Sequence, residues 1–217
     1  MRRRIVSAAL LAGRDPAEVR LVAVSKQHPA AAVRAAAAAG QGDFGENYLQ
    51  DALPKLKELS DLQLVWHFIG HIQSNKTRDI AENFQWVHTV DRAKIAARLS
   101  DQRPPEAAPL QVLIQVRLRP EEGKGGAEPA ALSELAETVA ALPGLKLRGL
   151  MCIPPPSPDS RSQRVPFAEL RGLLEELNRR GHELDTLSMG MSDDLEAAIA
   201  EGATIVRVGT AVFGPRE

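Results

Sequence analysis

Two stretches of the chain carry residues whose types and spacing could do covalent and ionic chemistry together. The apolar run Leu21-Val22-Ala23-Val24 leads through Ser25 into Lys26, and near the other end the chain reads Arg207-Val208-Gly209-Thr210. A lysine amine condenses with an aldehyde through its uncharged form, which an apolar surrounding favours. A glycine and a hydroxyl residue after a buried strand offer open backbone N–H groups and a side-chain donor to a phosphate. An aldehyde and a phosphate on one molecule suggest pyridoxal 5′-phosphate. Each residue also has a plainer reading. Lys26 reads equally as a rim lysine whose head reaches water, and Arg207, between Val206 and Val208, as a structural arginine paired to a carboxylate.

Further along, Ser188-Met189-Gly190-Met191-Ser192-Asp193-Asp194-Leu195-Glu196 is a glycine-bearing turn entering a helix. Asp193 and Glu196 fit a capping box, which needs no ligand. The same turn, with the Ser192 hydroxyl, suits an anion at a helix start. An Arg207 facing a pyridine nitrogen would not give up its proton, so that nitrogen would stay unprotonated and the ring would be a weak electron sink. His67 and His71 are four apart, a metal-pair spacing on a helix only, and Val65-Trp66-His67-Phe68-Ile69 reads as a strand, so no metal is expected. No G-x-S-x-G elbow, Walker loop, C-x-x-C or G-x-G-x-x-G is present, which removes the usual support for hydrolase, nucleotidase and dinucleotide readings. The one cysteine, Cys152, excludes an intrachain disulfide, and inside Leu150-Met151-Cys152-Ile153 it reads as a core filler.

These residues must be held by an alternating scaffold. Strand patterns fall at 21–25, 42–45, 64–69, 86–90, 110–116, 146–153, 183–189 and 204–208, and helical spacing at 29–39, 48–59, 130–142, 160–180 and 193–202. Alternating β and α units describe a parallel sheet, and eight strands favour a closed (β/α)8 TIM barrel over an open doubly wound sheet. The usual barrel has ~250 residues, so the 217 here imply short loops and one domain over 1–217. Barrel sites sit where strands end, which gathers Lys26, Glu46, Asn47 and the segments 67–75, 154–158, 189–193 and 207–210 at one mouth. The 154–158 prolines read as a loop that extends neither neighbour, or as a polyproline ligand for a partner domain.

The totals exclude other classes. Lys plus Arg number 27 against 28 Asp plus Glu, a formal net charge of -1, so no overall pull toward nucleic acid or an anionic membrane is expected. No apolar run approaches the ~18 residues a membrane helix needs. The start, Met1-Arg2-Arg3-Arg4 followed by apolar residues, superficially resembles a secretory signal, but no small-x-small cleavage site follows. A soluble cytoplasmic protein is expected.

The motifs together resemble the pyridoxal phosphate homeostasis proteins, which look like the barrel domain of alanine racemase, a fold-type III scaffold, without its second domain. The resemblance covers nearly the whole chain. It rests on Leu21-Val22-Ala23-Val24-Ser25-Lys26, Phe44-Gly45-Glu46-Asn47-Tyr48, Trp66-His67-Phe68-Ile69-Gly70, Gln73-Ser74-Asn75-Lys76, Leu147-Arg148-Gly149-Leu150-Met151, Leu187-Ser188-Met189-Gly190-Met191-Ser192-Asp193-Asp194 and Arg207-Val208-Gly209-Thr210-Ala211-Val212-Phe213-Gly214. It implies that Lys26 holds pyridoxal phosphate as an internal aldimine, that Arg207 faces the ring nitrogen, and that Ser192, Gly209 and Thr210 bind the phosphate. Asn47 would lie beside the ring, and Met189 and Gly190 would line the pocket. The family is associated with balancing cofactor supply and amino-acid metabolism, without an established turnover. A racemase of this fold needs a second base across the ring, for which only Tyr48, His67 or Cys152 present themselves. A carrier is therefore expected ahead of a racemase or a lysine-dependent aldolase. Its partners would be the cofactor itself and apo-enzymes that accept it, or a regulatory protein, and a monomer is the default. His71, Cys152 and Arg117 depart from the family pattern, the last in the loop before Glu121 and Lys124.

Overall fold

The computed structural model describes residues 1–119 and 125–214, so Glu121 and Lys124 lie outside the described residues. Among these, eight parallel strands close in sequence order: β1 Arg20–Val24, β2 Asp43–Glu46, β3 Val65–Phe68, β4 Trp86–Val90, β5 Leu110–Gln115, β6 Leu145–Met151, β7 Thr186–Ser188 and β8 Ile205–Val208, with β1 paired to β8. Parallel neighbours need a crossover. The crossovers are the helices α2 Ala30–Ala38, α3 Leu49–Glu58, α4 Thr77–Asn83, α5 Ala93–Asp101, α6 Leu132–Ala140, α7 Ser160–Arg179 and α8 Leu195–Ala200, while α1 Arg2–Leu11 precedes the barrel and α9 Thr210–Phe213 ends it. This is the closed (β/α)8 barrel, and the open sheet is excluded by the β1–β8 pairing. Every helix expected from apolar spacing is present. The expected spacings do not include α1, α4, α5 and α9, of 10, 7, 9 and 4 residues.

Strand periodicity of two makes two apolar regions. One face of each strand supplies residues such as Ala23, Phe44, Trp66, Val112, Leu150 and Val206 to the core under the helices. The opposite face supplies Val22, Trp86, Leu113, Met151 and Ile205 to a smaller cluster inside the barrel. His67, His88 and Arg207 stand two residues from Val65, Trp86 and Ile205 and so share that interior face.

At the site β7 ends one residue earlier than the sequence predicts, while β8 ends at Val208 as expected and β2 runs one residue further, to Glu46. β7 stops at Ser188, so Met189 and Gly190 belong to the loop leading to α8. The N-cap of α8 is Asp194, without a side-chain cap, so the Asp193–Glu196 capping box is not formed. Asp194 Oδ1 accepts from the Met191 N–H at 2.6 Å, and Glu196 is drawn away to Arg4. No helix among the described residues is long and apolar enough to cross a membrane.

Candidate functional site

A cavity of about 750 Å³ opens at the end of the barrel where the strands finish. Lys26 enters its wall half-buried, immediately past β1. The Ser25 N–H donates to the Gly45 carbonyl at 3.0 Å, and the Ser25 carbonyl then accepts from the His28 N–H at 3.0 Å. That closes a tight turn in which Gln27 has φ 64°. A non-glycine residue held there costs on the order of 1–3 kcal/mol and persists where its surroundings over-determine it. Those surroundings are visible: Ser25 Oγ donates to Glu46 Oε1 at 2.6 Å, and Lys55 of α3 donates to Glu46 Oε1 at 2.6 Å and to the Ser25 carbonyl at 2.8 Å. His28 stacks on Phe213 with ring centroids 4.9 Å apart, tying the turn to α9.

Asn47 follows β2 and is pinned by Gly70, where a Cβ would lie 1.9 Å from the Asn47 carbonyl oxygen. It lines the cavity, and its Oδ1 is buried without a hydrogen-bond partner among the described residues. Such a group costs roughly 1–3 kcal/mol unless something binds it. Arg207 lines the same cavity, fully buried at its base, with Nη1 donating to Ser188 Oγ at 2.6 Å and Nη2 to the Cys152 carbonyl at 2.9 Å. Burial lowers its proton affinity from the ordinary arginine value, yet a guanidinium keeps its charge in proteins.

Ser192, Gly209 and Thr210 complete the wall on the side of β8, so six of the eight residues expected from sequence meet here. Met189 and Gly190 do not line it. Met189 is fully buried in the core, and Gly190 turns the chain with φ 92° where a Cβ would lie 2.5 Å from that of Ala198. Met191, Ser192 and Asp193 stand in the wall in their place. Arg4 was not foreseen. From α1 it donates through Nε to Glu196 at 2.8 Å and through Nη2 to the Ser192 carbonyl at 2.9 Å, bracing the loop from outside. Its three-arginine neighbourhood offers a signal of charge only, and nothing that pairs it with a loop 188 residues away.

With Arg4 already paired to Glu196, the wall carries Lys26 and Arg207 against one carboxylate, Asp193, a balance that favours an anion. None of the three residues considered as a second base stands in it. Tyr48 is 50 % exposed at the start of α3, His67 is buried inside the barrel, and burial pushes the Cys152 thiol up to about 12. The described residues contain no group of three or more His, Cys, Asp or Glu placed to hold a metal. Of the departures, His71 is exposed and Arg117 pairs with Glu128, away from the wall.

This closed barrel with a lysine at the end of its first strand matches the family model of the alanine racemase N-terminal domain over residues 5–217. The chain belongs to that family and, within it, to the pyridoxal phosphate homeostasis proteins. The protein of that description from Pseudomonas aeruginosa is 64 % identical over 214 residues, spanning 99 % of this chain and 92 % of the relative. The Escherichia coli K12 protein is 50 % identical over 220 residues, spanning 100 % and 94 %. Among solved structures, Synechococcus elongatus PipY with PLP bound superposes with a TM-score of 0.86 at 42 % identity, covering 97 % of this chain and all of PipY. Corynebacterium glutamicum alanine racemase, 16 % identical with a TM-score of 0.67, shares the fold over 60 % of its length.

Proposed function

We propose that this protein binds pyridoxal 5′-phosphate covalently and reversibly through Lys26 and serves its intracellular homeostasis as a carrier. The observation that carries the reading is the convergence of Lys26, Arg207, the Ser192 and Thr210 hydroxyls and the unpartnered Asn47 Oδ1 on one cavity. The donor set fits the group: an amine for an aldehyde, hydroxyls beside Gly209 for a phosphate, and a fixed cation for a ring nitrogen. The names of the Pseudomonas and Escherichia relatives and the ligand of PipY support it.

When bound, the cofactor supplies an aldehyde that an amine captures reversibly. The strained turn at Gln27 holds Lys26 in the wall, and Ser192 and Thr210 would donate to a phosphate bound there. Gly209 leaves the backbone open, since a Cβ there would crowd the Val24 carbonyl at 3.3 Å. Asn47 would lie beside the ring, while Met189 and Gly190 support the loop from behind the wall. Arg207 would face the ring nitrogen and, as a guanidinium that keeps its proton, would leave that nitrogen unprotonated and handicap carbanion chemistry. With Tyr48, His67 and Cys152 outside the wall, we read the protein as a carrier serving apo-enzymes or a regulatory partner. His28 and Asp193 are the titratable groups left to test for a residual activity.

The test is the absorbance spectrum of the protein with pyridoxal phosphate, followed by borohydride reduction and peptide mapping. A visible band with the label on Lys26, lost in Lys26→Ala, is expected. No band, or a label on another lysine, overturns the assignment. Solvent deuterium should not enter the α position of alanine beyond the rate given by free cofactor, and faster entry would make the protein an enzyme.

A further inference from the structure

The barrel interior contains a row of polar groups that packing alone does not require. Beginning at the cavity, Arg207 Nη1 lies 2.6 Å from Ser188 Oγ, and Ser188 Oγ lies 2.8 Å from His88 Nδ1. His88 Nε2 lies 2.9 Å from His67 Nδ1, and His67 Nε2 lies 3.0 Å from Asp43 Oδ1. The row thus passes from β8 through β7, β4 and β3 to β2. Ser188, His88 and His67 are wholly buried. Asp43 faces the other end, where with Arg20 it lines a second cavity of about 390 Å³ and its side chain is 22 % exposed.

The two ends determine the direction of the outermost bonds, and the neutrality of the rings determines that of the bonds between them. A carboxylate only accepts and a guanidinium only donates. His67 therefore donates through Nε2–H to Asp43. Burial lowers the pKa of both rings, and for His88 the neighbouring His67, Arg207 and Arg20 lower it further. A neutral ring that donates at Nε2 must accept at Nδ1. His67 thus accepts from His88 Nε2–H, His88 accepts from the Ser188 hydroxyl, and the Ser188 oxygen accepts from Arg207. No donor faces a donor and no ring nitrogen is left over. Because the guanidinium does not release its proton, the row cannot deliver protons to the cavity. What it can do is polarise: each bond strengthens the next, so the Asp43 charge makes Ser188 Oγ a better acceptor for Arg207.

We infer that His88 and His67 are positioning residues for Arg207, forming with Ser188 and Asp43 a one-directional hydrogen-bond chain that fixes the guanidinium in the cavity wall. What the guanidinium is fixed for rests on the carrier reading above.

The first measurement uses the unmodified protein without cofactor: long-range 1H–15N correlation of the histidine rings, assigned by single substitutions. Both rings neutral with the proton on Nε2 at pH 7 is expected; either ring charged or protonated on Nδ1 overturns the chain. The second uses pyridoxal phosphate labelled with 15N in its ring. Ser188→Ala and His88→Phe should move the ring resonance and weaken retention about tenfold, the loss of one hydrogen bond to a charged group. Ser188→Thr, which keeps the hydroxyl, should restore both, and Asp43→Asn at the partly exposed end should move the resonance in the same direction by less. An unmoved resonance in variants that melt like the parent overturns the inference while leaving the carrier reading intact. If the buried variants do not fold, Asp43→Asn and the ring tautomers decide. Absence of a visible band in the parent sinks the carrier reading and leaves the tautomer result standing.

Discussion

At the residue scale, Lys26, Arg207 and Thr210 matter because each combines a chemical type with a position on the mouth of one cavity. Ser192→Ala and Thr210→Ala should each weaken cofactor retention by roughly 10- to 100-fold, the loss of a charge-assisted hydrogen bond of ~1.5–3 kcal/mol. Equilibrium dialysis checks this, and unchanged retention would remove those hydroxyls from the phosphate site. Cys152 is a quieter case. With its thiol pushed up to about 12 by burial, it should resist alkylation at pH 8 in the folded protein and react once urea exposes it. These residues could be singled out in the sequence because strand ends punctuate it. Arg4 could not, since its partners Ser192 and Glu196 reach it only after α1 has docked on α8.

At the element scale, the site depends on how loops are pressed into place. Gly190 lets the β7–α8 loop turn with φ 92° and lets α8 approach so closely that Ala198 fills the space a Cβ would need. Gly190→Ala should lower stability by about 1–3 kcal/mol, measured as a urea midpoint. Adding Ala198→Gly should recover part of the loss, because it relieves the collision and leaves the backbone strain. Full recovery would show that the turn itself is not strained. The missing capping box has a tertiary origin. Glu196 forms a better ion pair across to α1 than a cap within its own helix, an outcome local spacing cannot foresee.

At the scale of the whole molecule, the barrel buries two histidines whose folded pKa values lie below the ordinary 6.5. Above that value both states are neutral there and the rings add no pH dependence. As pH falls below it, the unfolded chain takes up protons that the folded barrel refuses, so stability declines until the folded values are reached. Each ring contributes at most ~1.4 kcal/mol per pH unit. Urea unfolding at pH 7.5 and 5.5 should show the decline, and His67→Asn should reduce the slope by the share of one ring. An identical slope in that variant would mean that His67 is protonated in the folded state as readily as in the unfolded one.

Periodicity of two and of 3.6, read along the chain, was enough for the eight strands, the main helices and the mouth on which Lys26, Asn47, Ser192, Arg207, Gly209 and Thr210 meet, because each of those signals is local. Only the tertiary structure decided that Met189 turns inward to the core, that Gly190 serves packing, that Arg4 braces the wall, and that Asp43, His67, His88 and Ser188 align behind Arg207. Those outcomes depend on contacts between strands and helices far apart in the chain, which closure of the barrel creates and no stretch of sequence contains.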